Sequence, residues 1–265
     1  MGSANSVTLQ PGDVLITTAG SETLTSNNSI SVANEDVFVF RPATAGDYSA
    51  GDFIFLLDGS QIHSQTDTVA ISLVEKDTVV GDGSLPAGSF IFGTTNRRDV
   101  LLFVPTDVGP GTTSGTVSEF VDGPDVNLGS EIRGMDLAED TVGIGSHTIP
   151  SGSILLTLND DGSNAGDIGI LTDSEDIFYL TMTKIGASPA GDATLLFDGS
   201  DVNLDTSDEH LQALTLTGSV AGGGSPPPGP GGIAFEGFTD ANANGATDLA
   251  IDKPPGTVAG DLLIA

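Results

Sequence analysis

Three sequence markers recur in constant order, and that order limits the fold more than anything else in the chain. A proline turn leading into an apolar run opens each copy: PGDVLIT from Pro11, PAGSFIFGT from Pro86 and PSGSILLT from Pro150. A second apolar run follows an Asp: DVFVF from Asp36, DVLLF from Asp99 and DIFYL from Asp176. An Asp-Gly pair comes next, starting at Asp58, Asp122 and Asp198, at intervals of 64 and 76 residues. A period of about 70 residues written three times marks an array in which each copy buries its apolar face against its neighbours.

Each copy reads as four short strands. The first follows the proline turn (14–17, 90–94, 154–158) and the second follows the Asp (37–40, 100–104, 177–181). The third leads into Asp-Gly (53–57, 117–121, 193–197), and the fourth comes after it (68–74, 132–137, 211–216). These runs are rich in β-branched and aromatic residues and bounded by Gly, Pro, Asp and Asn, as strands are. ILLTL at 154–158 is apolar almost throughout, which suits a strand covered on both faces. No segment has the 3.6-residue period of an amphipathic helix.

The expected fold is therefore all-β, with three four-stranded, propeller-like repeat units over 6–74, 75–137 and 138–219. The chain starts on a first strand and leaves the repeats on a fourth, so Leu211–Leu216 is expected to supply the strand missing before Val14 and close the array. A Gly/Pro linker occupies 220–232, including GGGSPPPGPGG. Residues 233–265 read as a partial second β module or a strand-donating tail.

Asp and Glu number 37 against 7 Lys and Arg, a net charge of -30. That field has the wrong sign for neutralising phosphates, so neither nucleic acid nor an anionic membrane is an expected partner. Nothing approaches the ~20 consecutive apolar residues of a membrane helix. The chain has no Cys, which removes disulfides, thiolate metal sites and Cys nucleophiles. Neither HExxH, GxSxG nor a phosphate-cradling GK[ST] loop occurs.

The third copy carries the pattern most fully, in Pro150–Leu156, Glu175–Ile177, Phe197–Leu204 and Leu211–Leu214. It resembles tandem propeller-like repeats of large secreted or surface proteins of bacteria, which read LPAGSLLLS … EDI … FDGSDVGL … DIDAL. The likeness spans roughly residues 6–218 and is poorest in the first copy. DKPPGTVAGDLLIA (Asp252–Ala265) looks like the start of a β-sandwich module of extracellular and phage-associated proteins with a KPxGtxxGDLLIA signature. Both resemblances imply an extracellular, multi-module setting, and neither implies a catalytic activity.

Two stretches offer oxygen ligands at spacings that suit Ca²⁺. In an extended strand Asp201, Asn203 and Asp205 would share one side, as positions 1, 3 and 5 of a calcium loop do. The second copy keeps Asp125 and Asn127 but has Gly129, and the first has Gln61, His63 and Gln65, so a metal is not a requirement of the repeat. The other reading of the stretch is a turn in which Asp-Gly needs positive φ while Val and Leu fill the core. DANANGATD places Asp240, Asn242, Asn244 and Asp248 at positions 1, 3, 5 and 9 of an EF-hand-like loop, with Ile251 where the bidentate acid belongs. A polar loop before a strand explains it as well. The loop NDDGSNAGD (159–167) fits no calcium template and reads as solvated.

The expectation from sequence is a non-catalytic, structural or adhesive module, secreted or on the cell surface, with optional calcium. Its partners would be other modules of the same protein, cell-surface or matrix components, or further copies of itself. Two alternatives stand beside it: a self-assembling filament subunit joined by C-terminal β-strand addition, and a secreted hydrolase of polysaccharide or protein.

Overall fold

The short apolar runs become strands, and the proline, Asp-Gly and Asn-containing punctuation becomes the turns between them. The computed structural model describes residues 7–62, 67–204 and 210–216. The first copy supplies β1 (Val14–Ile16), the hairpin β2 (Glu22–Thr25) and β3 (Ser29–Val32), then β4 (Val37–Thr44) and β5 (Asp47–Leu57). β6 (Thr68–Leu73) and the hairpin β7 (Thr78–Val80) and β8 (Gly83–Leu85) lead to β9 (Phe90–Thr94), β10 (Val100–Asp107) and β11 (Ser114–Val121). β12 (Ile132–Leu137) and the hairpin β13 (Val142–Ile144) and β14 (His147–Ile149) lead to β15 (Ile154–Leu158). The hairpin β16 (Ser163–Ala165) and β17 (Ile170–Thr172) precedes β18 (Ile177–Lys184) and β19 (Ala190–Phe197). Among the described residues the helical pieces are three short 3-10 turns, at Gly59–Gln61, Gly123–Val126 and Ser200–Val202.

The main sheets run β1-β4-β5, β6-β9-β10-β11 and β12-β15-β18-β19, all antiparallel. Each four-stranded sheet borrows its first strand from the preceding repeat. β6 pairs with β9 through Ile71–Phe92 and Ser72–Ile91, and β12 pairs with β15 in the same register through Met135–Leu156 and Asp136–Leu155. The first sheet has three strands. Leu211–Leu216, expected as its fourth, forms no ladder here. The Leu211 carbonyl instead accepts from Thr157 Oγ1 at 2.9 Å.

Alternation along the strands decides which sheet meets which. Phe90 and Phe92 of β9 and Phe103 of β10 pack against Val37, Val39, Leu56 and Leu57 of the first sheet. Ile91, Val100 and Phe120, on the other face, pack against Ile154, Leu156, Phe178 and Leu180 of the third. All five residues of β9 and of β15 are buried, as an unbroken apolar run requires. Burying a Phe such as Phe103 contributes about 2–3 kcal/mol. The remaining face of the third sheet gathers Leu155 and Tyr179 with Ala138 and Ile149, and Leu214 and Leu216 pack partly against it.

Four hairpins were not legible in the sequence. β2–β3, β7–β8, β13–β14 and β16–β17 are three or four residues per strand, with Ser, Thr and Gly interspersed among Val, Ile and Leu. Strands this short cannot repeat an alternation often enough to show a period of two. The loop at 159–167, expected to be solvated, in fact opens the β16–β17 hairpin, whose Ala165 lies in the core.

Candidate functional site around the inner edge strands

One set of the repeating acids acts as backbone clips. Asp36, Asp99 and Asp176 stand just before β4, β10 and β18. Their Oδ1 atoms accept from the amides of Gly59 (3.1 Å), Gly123 (3.1 Å) and Gly199 (3.0 Å). Oδ2 of Asp36 and of Asp176 also closes the preceding turn, accepting from Ala33 and Asp173 at 2.8 and 2.9 Å. Burial pushes the Asp36 carboxyl above the ordinary carboxylate value, and the nearby Asp58 and Glu35 charges add to it, against the pull of its two amide donors.

The glycine of Asp-Gly is not there for positive φ, contrary to the turn expected from sequence. A Cβ at Gly59 would stand 1.9 Å from the Glu35 carbonyl oxygen, one at Gly123 2.0 Å from that of Arg98, and one at Gly199 2.3 Å from Glu175 Cγ. Close approach of the clip excludes a side chain. Positive φ falls instead on Asn127 (55°) and Asn203 (65°), which end the second and third 3-10 turns. Asn tolerates the left-handed region better than other side-chain-bearing residues.

The expected alternation of Asp201, Asn203 and Asp205 along a strand is therefore corrected. Asp201 sits in the 3-10 turn Ser200–Val202 and is exposed, and Asn203 caps that turn. Asp205, Asp240, Asn242, Asn244 and Asp248 lie outside the described residues, as do His63 and Gln65. Among the described residues no group of three or more His, Cys, Asp or Glu is placed to hold a metal ion.

The structure brings together residues that the sequence reading left unmarked. TVAISL, IRGMDL and LQALTL are the same segment in three repeats, and Ser72, Asp136 and Thr215 hold the same place in each. Ser72 Oγ donates to Asp136 Oδ1 at 2.6 Å, and Thr215 Oγ1 donates to Asp136 Oδ2 at 3.3 Å. The following amides complete a cyclic pattern: Leu137 N–H donates to Ser72 Oγ, and Leu216 N–H to Asp136 Oδ2. Next along the chain, Glu139 reaches back to the equivalent place one repeat earlier, where Oε1 accepts from the amides of Glu75 and Lys76. Burial raises the Glu139 carboxyl, and the two amides oppose that shift.

Asp13, Glu75, Asp136, Glu139 and Asp140 wall a groove of about 590 Å³ between β1, β6, β12 and residues 214–216. Most of this acid is already committed. Asp13 takes both Nε (2.8 Å) and Nη2 (2.6 Å) of Arg41, Asp140 pairs with Lys76, and Asp136 and Glu139 hold the hydrogen bonds just described. Asp161, in the β15–β16 loop, similarly accepts from both N–H and Oγ of Ser174, whose hydroxyl holds its carboxyl below the ordinary value. The chemistry on offer is acceptance of backbone and hydroxyl donors. Among the described residues no helix is long and apolar enough to cross a membrane.

No family model, no curated protein and no solved structure matches this chain.

Proposed function

We propose that this chain is a non-catalytic structural or adhesive module, a propeller-like array of β repeats that serves as a rigid spacer or contact platform in a secreted or surface protein. The observation that carries this reading is the placement of its recurring acids. Asp36, Asp99 and Asp176 each hold a glycine amide, and Asp136 ties three repeats at one node. Each of these carboxylates orients a backbone or hydroxyl donor of the fold, which supports a structural role for them. The sequence resemblance to bacterial surface repeats and the strongly acidic composition support the extracellular setting. The partners would be neighbouring modules or cell-surface and matrix components.

Calcium belongs to this reading as an optional rigidifier of acidic loops, at Asp201, Asn203 and Asp205 or at Asp240, Asn242, Asn244 and Asp248. The filament alternative, C-terminal strand addition by residues 233–265, predicts a loss of assembly mass in sedimentation when residues 221–265 are removed. The test of the main reading is an assay of the full chain against a panel of polysaccharide and protein substrates. No turnover is expected. Saturable hydrolysis abolished by a single Asp or Glu substitution would overturn the proposal in favour of the hydrolase.

A further inference from the structure

Two junctions between repeats are built alike, and the parts for a third are present but apart. At the first, the end of β5 meets the β10–β11 hairpin tip, where Leu57 and Gly109 form a parallel bridge and Gly109 N–H donates to Leu56 O at 2.9 Å. At the second, the end of β11 meets the β18–β19 tip in the same way, through Val121 and Gly186 and a 2.8 Å bond from Gly186 N–H to Phe120 O. The β16–β17 hairpin adds a latch: Gly166 N–H donates to Val126 O, and Gly129 N–H to Asn164 O. Val126 is fully buried beneath it.

Among the described residues, the third copy ends in the same surface without its cover. Val202, the counterpart of Val126, is 53% exposed. The described residues hold no third bridge. The matching latch exists at the other end of the array. The β2–β3 hairpin is anchored to its sheet as β16–β17 is, by Asn27 N–H to Gly51 O where the other has Asp167 N–H to Gly191 O. Leu211–Leu216 repeats the pattern, for its counterparts β6 and β12 pair with β9 and β15, whereas among the described residues β1 is paired on one side. Val14, Leu15 and Leu214–Leu216 line the same groove, and Ile16–Thr18 and Gln212–Leu214 both line a second groove of about 430 Å³. Ala213 is exposed where Ala70 and Gly134 are buried.

We propose that residues 211–216 are a strap that closes within the same chain onto β1, in the register Leu214–Ile16, Thr215–Leu15 and Leu216–Val14, while the β2–β3 hairpin covers Val202. The register is that of β6 on β9 and β12 on β15, carried to the third place. A strap tethered to its own array meets β1 at an effective concentration far above that of a second molecule, and the Asp136 node already holds it beside the groove. The inference rests on the reading of the chain as a propeller-like repeat array. It is separable from the absence of catalysis: an open array is still a scaffold, and turnover of a substrate would leave closure untouched.

The chain contains no Cys, so an introduced pair supplies its only thiols. Val14→Cys/Leu216→Cys and Leu15→Cys/Thr215→Cys are neighbouring cross-strand pairs. Narrow and wide pairs alternate along an antiparallel ladder, so one of the two suits a disulfide. Val14→Cys/Leu214→Cys, two residues out of register, is the control. We expect one matched pair to oxidise to an intramolecular disulfide about tenfold faster than the control, read by non-reducing electrophoresis and intact mass. We also expect its oxidised form to melt roughly 5–10 °C higher than its reduced form. In single variants, thiol labelling of Val202→Cys should be slow, approaching that of Val126→Cys. Equal rates for matched and control pairs, disulfide-linked dimers, or rapid labelling of Val202→Cys would each overturn closure within the chain. The single Val202→Cys variant alters one surface side chain and keeps the test open if a double variant fails to fold.

Discussion

Ser72 Oγ donates a 2.6 Å hydrogen bond to Asp136 Oδ1, joining the same position of two consecutive repeats. Asp136 passes the link on, since its other oxygen accepts from Thr215 Oγ1 and from Leu216 N–H in the third repeat. One carboxylate thus fixes the phase of three segments that are far apart along the chain. Hydrogen bonds to an ionised acceptor are among the stronger ones, at about 1.5–3 kcal/mol each.

Asp136→Ala should destabilise the protein by about 2–3 kcal/mol, measured from urea midpoints. Hydrogen exchange should speed at residues 211–216 more than in β15 or β18. Ser72→Ala should cost roughly 1 kcal/mol, because Asp136 keeps its other donors. Equal effects on exchange throughout the third sheet would show that Asp136 does not hold the 211–216 segment in particular.

The clips should rank by burial. Asp36→Ala and Asp176→Ala leave the amides of Gly59 and Gly199 unpaired in buried surroundings, at a cost of about 1–3 kcal/mol each. Asp99→Ala, where the bond is only partly buried, should cost less. Thermal denaturation of the three variants tests the order.

Glycine and asparagine should respond in opposite ways. Gly59→Ala and Gly123→Ala drive a Cβ into a backbone carbonyl and should lose roughly 1–3 kcal/mol or fail to fold. Asn203→Gly should be neutral or gain up to about 1 kcal/mol, and Asn203→Val should lose roughly 1–2 kcal/mol, because φ there is positive. Chemical denaturation of the set distinguishes close approach from backbone strain as the reason for each residue.

Acid should act in two directions. Arg41, chiefly by hydrogen bonding, holds the Asp13 carboxyl below its ordinary value of 3.8. That stabilisation is present above 3.8 and is lost as pH falls below it through the folded-state value. Asp36, raised chiefly by burial, works the other way. Its ionisation penalises the fold at higher pH, and the penalty is relieved as pH falls through the raised value toward 3.8. Urea midpoints measured between about pH 2.5 and 6 should therefore fall less steeply below 3.8 in Asp13→Asn than in the parent. Parallel curves would show that the Arg41 pair carries no acid-linked stability.

Millimolar Ca²⁺ should raise the melting temperature above that in EDTA, and Asp201→Ala should reduce the shift if the third copy carries the ion. No difference between the two conditions would reject structural calcium.

The sequence by itself determined the β class and the position of nearly every main strand. Phe90–Thr94 and Ile154–Leu158 were legible end to end because strands buried on both faces read as nearly continuous apolar runs. The small hairpins were not, since strands of three or four residues are too short to establish a period. Tertiary structure alone decided what the acids do. Asp36 and Gly59 stand 23 residues apart, and Ser72 and Asp136 stand 64 apart. Nothing in either local pattern distinguishes an acceptor for a distant amide from a surface carboxylate or a calcium ligand. Asn203 is the clearest case: its spacing from Asp201 suggested alternation along a strand, whereas the folded chain places it at the end of a 3-10 turn with a backbone angle of 65°.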